Sequence, residues 1–390
     1  MRILRICSTL VLLPGLVLTG CGGSTTQAAA HSSVRAAPYP GSGISGFQAA
    51  DLTWISDQQG WALGVAPGCS GQRCATVLET TDGGRQWTTV TDLHACLVEA
   101  APVGCPAGVP EVGHIRFANA DVGYAYSASG GPYSLTANGG LSWTLQTGRN
   151  VSAIKVASGT AVRVSFSRTG CPGPCDWSID QAALGENVWQ TLYTAPSSVN
   201  QAKVLLLRQR PNDIYVASVG IAQSGAAAPT AQLVASSDGG ATWQRHGDPC
   251  AASVPTYQTT NLAVAPGGVL VALCASTRSS RSGVVVSTDG GDHFVQLQLL
   301  PSTIRGAFTE VAATGPADIF AAVPGVELAE STNGGRRWAV AITIRPEPQS
   351  KGPTSSFLGF ESPLVGRWIG PPDVLWTTTN GGATWSPRKF

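Results

Sequence analysis

One octapeptide pattern, Ser/Thr-x-Asp/Asn-Gly-Gly-x-x-Trp/Phe, recurs six times in this chain, at residues 80–87, 136–143, 236–243, 287–294, 331–338 and 378–385. A decayed copy, Gly185-Glu186-Asn187-Val188-Trp189, keeps the aromatic and fills the one double-length gap. The aromatics Trp87, Trp143, Trp189, Trp243, Phe294, Trp338 and Trp385 then follow one another at intervals of 44 to 56 residues. A period of that length confines the chain to repeat architectures, in which each module buries its apolar surface against the next. Asp82, Asn138, Asp238, Asp289, Asn333 and Asn380 each precede two glycines. This is hairpin chemistry: glycine reaches positive φ without strain, and the Asp or Asn side chain bonds nearby backbone N–H groups. These residues are expected to fold turns rather than to touch a ligand.

Upstream of each turn lies another hairpin, such as 52–55 with 61–64, 115–118 with 123–127 and 311–313 with 319–323, joined by segments rich in Gly, Asp and Asn. A third strand leads into the Gly-Gly turn, and a fourth starts at the aromatic. Four strands in each of seven periods predict an all-β chain, a single seven-bladed β-propeller with four-stranded antiparallel blades over residues 44–390. Two modes of ring closure are open: side-chain packing between the first and last blades, or a strand from residues 44–47 added to the last blade.

The octapeptide resembles the Asp-box, or bacterial neuraminidase repeat, which forms the turn between the third and fourth strands of a propeller blade. The likeness extends over nearly the whole chain beyond residue 43. The set of boxes is most similar to that of the photosystem II stability and assembly factor family. That resemblance implies a non-enzymatic extracytoplasmic scaffold. It is carried by turn residues, so it transfers the fold and says little of the partner.

Arg2 and Arg5 precede an apolar run from Ile6 to Val17 and then Leu18-Thr19-Gly20-Cys21. A basic start, an apolar core too short to span a bilayer and small residues before the cut describe a secretory signal over residues 1–20. Its end resembles a bacterial lipobox, which implies that Cys21 is lipidated. Residues 21–43 read as the lipidated Cys and a flexible tether. The expected location is the outer side of a bacterial cytoplasmic membrane, held there by acyl chains. Without Arg2 and Arg5 the 24 basic residues become 22 against 23 acidic, so no charge excess draws the chain to nucleic acid. A monomer is expected.

Eight cysteines beyond Cys21 form four close pairs, Cys69-Cys74, Cys96-Cys105, Cys171-Cys175 and Cys250-Cys274. Export makes disulfides the expectation. Cys171-Pro172-Gly173-Pro174-Cys175 has roughly ligand-like spacing, but no Cys/His pair with clear spacing accompanies it, so no metal and no cofactor are expected. The paired cysteines fall on links between blades and between second and third strands, at the end of the ring opposite the Gly-Gly turns. Arg73, Tyr133, Arg168, Trp177, Tyr257 and Arg305 are the candidate binding residues of that loop-rich face, since exposed aromatics and Arg dominate interfaces.

Two functions remain open. One is a non-catalytic binding or assembly scaffold for a protein or glycan of the cell envelope. The other is a glycoside hydrolase of sialidase-like or xyloglucanase-like type. The sialidase pattern's early Arg-Ile-Pro segment has only a reversed, late counterpart in Ile344-Arg345-Pro346, and there is room for one propeller where the xyloglucanase type uses two. Glu99, Glu111, Asp176 and Asp248 are acids of the loop-rich face, and His94, His114, His246 and His293 show no ligand spacing. No catalytic residue is assigned.

Overall fold

The computed structural model describes residues 46–66, 75–98, 105–166, 177–195, 203–208, 212–219, 232–265, 267–304, 306–344, 357–370 and 374–390, all within the Ser33–Phe390 unit. The signal, Cys21 and the tether lie outside the described residues, as do Cys69, Cys74, Cys171, Cys175, Arg73, Arg168 and Arg305.

The described strands form seven four-stranded antiparallel sheets, each with its strands in chain order. The protein is a seven-bladed β-propeller. Its inner strands are Gln48–Trp54, His114–Phe117, Asn150–Ala157, Lys203–Arg208, Tyr257–Val264, Glu310–Ala313 and Leu358–Phe360. Those of blades 1, 3 and 5 start several residues before the positions the hydrophobic pattern marks. In each a bulge, at Ala49/Asp51, Val151/Ala153 and Thr259/Asn261, carries the strand past an irregular pairing.

The recurring turns explain their own residues. In the first, Gly84 N donates to Thr80 Oγ1 at 3.0 Å while that hydroxyl donates to Asp82 Oδ1 at 2.9 Å. The same Oδ1 accepts the N–H of Gln86 at 2.9 Å. In the second turn Asn138 Oδ1 takes the Ser142 N–H at 3.0 Å in the same way. One oxygen does this work, which is why Asn replaces Asp freely. The first glycine's N–H reaches across to the blade's other turn, Gly83 to Gln58 O and Gly381 to Leu364 O, both at 2.8 Å. The aromatic closes the turn, and the fourth strand begins after it, as in Thr88–Asp92 and Ser386–Lys389.

The second glycine has a further constraint. A Cβ on Gly382 would lie 2.2 Å from Phe320 Cζ of the preceding blade, on Gly335 2.8 Å from Val284 Cγ2, and on Gly240 2.5 Å from Leu192 Cδ1. The repeated glycine therefore admits the neighbouring blade as well as supplying positive φ.

Apolar packing follows the seams. Each of seven buried clusters joins two neighbouring blades. Strands covered on both faces read as continuous apolar runs, such as the fully buried Ile319–Val323. The cluster of Phe47, Leu52 and Trp87 with Ile369, Leu375 and Phe390 joins blade 7 to blade 1. Phe390 lies 5.5 Å from Phe47 and 5.2 Å from Trp87. Closure thus rests on side-chain packing, and the last blade keeps four strands of its own.

Cys96–Cys105 staples the link between blades 1 and 2, beside a parallel pairing of Cys96–Leu97 with Glu111–Val112. Cys250–Cys274 ties the link between blades 4 and 5 to the second strand of blade 5. Cys250 sits in a short helix, Pro249–Ser253, capped by Asp248. Asp248, read from sequence as a face acid, accepts the Cys250 N–H at 2.9 Å and the Thr259 hydroxyl at 2.6 Å.

Candidate functional site

Adjacent inner strands of the ring splay apart, so their lumen-facing polar groups need partners other than a backbone ladder. Side chains supply them. Asp51 Oδ2 in blade 1 accepts the Ile115 N–H of blade 2 at 2.9 Å, and Thr53 Oγ1 accepts the Phe117 N–H at 3.1 Å. Asn261 in blade 5 donates to Thr309 O at 2.7 Å and to Glu310 Oε2 at 3.2 Å in blade 6.

Around these bonds the seven inner strands line a cavity of about 590 Å3 along the ring axis. Its charged groups come from separate blades: Asp51, Arg116, Lys155, Glu310 and Glu361. Asp51 is buried, takes a short charge-assisted bond from Arg116 and has His114 Nδ1 at 3.3 Å. Burial alone would raise its carboxyl, but the Arg116 guanidinium, His114 and the Ile115 amide together hold it down at about 2. Arg116 is correspondingly pushed up.

Lys155 is half-buried on the inner strand of blade 3, and no hydrogen-bond or ion-pair partner among the described residues meets its ammonium. Burial first, and then Arg116, lower it to about 7 against the pull of Asp51 and Glu310. Glu361 has its side chain nine-tenths buried, with Oε2 3.7 Å from Arg367 Nε and no hydrogen bond to that oxygen among the described residues. Burial pushes it up to about 8.

The aromatic candidates of the loop-rich face are corrected by their burial. Tyr133, Trp177 and Tyr257 are 2%, 3% and 9% exposed, too covered to meet a partner. Tyr133 instead donates to Asn187 Oδ1 at 2.7 Å and accepts from Trp189 Nε1 at 3.0 Å, so blade 2 completes the decayed turn of blade 3. Trp177 packs on Tyr193 at 5.8 Å, and Tyr257 joins the cluster around Cys250. Glu111 accepts from Ser129 Oγ at 2.8 Å. His114 reaches the lumen, while His293 pairs with Asp289 at 2.8 Å in an exposed turn.

The charged lumen residues were missed because no blade contributes more than two, with no local motif. The available signal was a charge inside an apolar inner strand: Asp51 before Leu52, Arg116 between Ile115 and Phe117, Lys155 between Ile154 and Val156.

No protein-family model and no curated protein matches the sequence. Solved structures do. YCF48 bound to D1 peptide aligns with a TM-score of 0.54 and 18% identity over 86% of this chain and 94% of that one. YCF48 from Cyanidioschyzon merolae gives 0.53 and 16% over 88% and 97%. An ancestral GH74 enzyme gives 0.56 and 15% over 91% of this chain but 47% of that one. At these identities the likeness is one of fold: this is a propeller resembling YCF48 and the GH74 propellers.

Proposed function

We propose that this protein is a non-catalytic propeller, lipid-anchored through Cys21 at the outer side of a bacterial cytoplasmic membrane, which binds a protein segment or glycan of the cell envelope at its lumen. The observation that carries this reading is the state of Asp51. Asp51 is engaged by Arg116, His114 and the Ile115 N–H in the seam between blades 1 and 2, so it serves structure rather than attack. What the lumen offers a ligand is the Lys155 amine and a polar wall in a concave site to which all seven blades contribute. The fold likeness to YCF48, seen with a bound peptide and matched over 94% of its length, supports a peptide-binding role. The Asp-box pattern of the turns accords with a folding role for those residues.

Crosslinking from photoreactive groups placed at the lumen rim, in intact envelopes, tests the reading. One protein or glycan adduct is expected, reduced when bulky side chains fill the lumen. Labelling with a radioactive fatty acid should be lost in Cys21→Ala, which should also free the chain from the membrane.

One observation favours the hydrolase. Glu361, pushed up to about 8, and Asp51, held at about 2, line one cavity, and glycoside hydrolysis uses such a split between acid and base. Turnover in a glycan screen that Glu361→Gln abolishes would replace the scaffold reading with this one.

A further inference from the structure

We propose that the wall of the lumen formed by blades 2 and 3 is a site for a single carboxylate, held by the Lys155 ammonium with Ser152 beside it. The inference deepens the binding role proposed above and rests on it.

Two polar groups on this wall are left without hydrogen-bond partners among the described residues. The Lys155 ammonium meets no acceptor among the described residues. Ser152, 6% exposed, lines the same cavity, and its hydroxyl makes no hydrogen bond. The bulge at Val151/Ala153 leaves Ser152 out of the ladder, which lets it share a wall with Lys155 three residues on. Leaving such groups unmet costs free energy that a ligand acceptor recovers. Both can donate, so the missing partner is an acceptor.

Charge narrows the acceptor further. Arg116 is paired with Asp51, so Lys155 is the positive group of this wall left to meet a ligand, set against Glu310 across the lumen. Glu310 across the lumen repels a second negative charge. A monoanion satisfies both conditions, and a dianionic phosphate does not.

Binding should be coupled to proton uptake. Lys155 faces Arg116 and Tyr126 from blade 2, Asp51 from blade 1 and Glu310 from blade 6. Unliganded, it loses its proton near pH 7, so a carboxylate that needs the ammonium must restore it at higher pH.

The chain has four lysines, Lys155, Lys203, Lys351 and Lys389, so each gives a separable NMR signal once 13C-dimethylated. We would titrate the detergent-solubilised full chain with pH, alone and with propionate, acetyl-dialanine or acetyl-dialanine amide. The Lys155 midpoint, near 7 without ligand, is expected to rise by a unit or more with an acid probe and to stay put with the amide. Affinity for the acid should fall about tenfold or more between pH 6 and 9, and Lys155→Met should abolish that dependence. Ser152→Ala should weaken binding several-fold while leaving the unliganded midpoint in place. Preference for acetyl-dialanine over propionate identifies a chain terminus as the source, and equal binding identifies a small carboxylic acid. The proposal is overturned if no acid shifts the Lys155 signal, if the amide binds as well as the acid, or if Lys155→Met binds like wild type. Those failures would leave the rim-crosslinking result, and with it the scaffold reading, untouched.

Discussion

The guanidinium of Arg367, in blade 7, lies 4.0 Å above the indole of Trp54, in blade 1. Arg367 also donates to Asp57 O at 2.9 Å and to Gly83 O at 3.3 Å, both in blade 1, and to Thr377 in its own blade at 3.0 Å. It is 1% exposed. One buried side chain thus clasps the seam where the chain's two ends meet, which no backbone pairing crosses among the described residues.

Arg367→Met should therefore destabilise the protein by about 2–4 kcal/mol, since it strands blade 1 carbonyls and removes the cation above Trp54. Arg367→Lys keeps the charge but loses the planar fork and should recover only part of that. Chemical denaturation of the two variants beside wild type checks the order, and equal stability of all three would remove the clasp.

Glu361 makes that seam sensitive to pH. Its folded carboxyl is raised from 4.5 to about 8, so above pH 4.5 the unfolded chain releases a proton that the folded chain keeps. The stabilisation is complete below 4.5 and gone above about 8, falling by at most about 1.4 kcal/mol per pH unit. The stability difference between wild type and Glu361→Gln, measured from pH 4 to 9, should carry this slope.

Gly382→Ala tests the second turn glycine. Its φ of +97° strains an L residue, and its new Cβ would strike Phe320. Gly108→Ala, with φ of +79° and nothing within 4 Å, pays the strain alone, about 1–2 kcal/mol. Gly382→Ala should cost at least about 2 kcal/mol more, with part recovered by Phe320→Leu. Equal costs would mean that the blades do not meet at this glycine.

Of the two described disulfides, the one closing the longer loop should stabilise more. Removing Cys250–Cys274, separated by 24 residues, should cost about 3.5 kcal/mol, against about 2.7 for Cys96–Cys105, separated by 9. Melting of the double-alanine variants gives both figures.

The repeated turns were legible because every element of their chemistry is local. A hydroxyl, an Asx oxygen and two glycines within eight residues close a hairpin wherever they occur, and seven periods of that spacing leave a ring of seven blades as the economical packing. The candidate binding residues were not legible in the same way. Tyr133, Trp177 and Tyr257 sit in segments that read as exposed loop edges, yet neighbouring blades cover them, and Tyr133 repairs a turn 54 residues away.

By itself, then, the sequence determined the repeat, the turn chemistry and the number of blades, all properties of residues close together in the chain. Only the tertiary structure decided that Arg367 closes the ring and that Asp51, Arg116, Lys155, Glu310 and Glu361 face one lumen. The reason is physical: a propeller's axis is assembled from one strand of every blade, so its electrostatics depend on residues tens to hundreds of positions apart, whose approach no local pattern encodes.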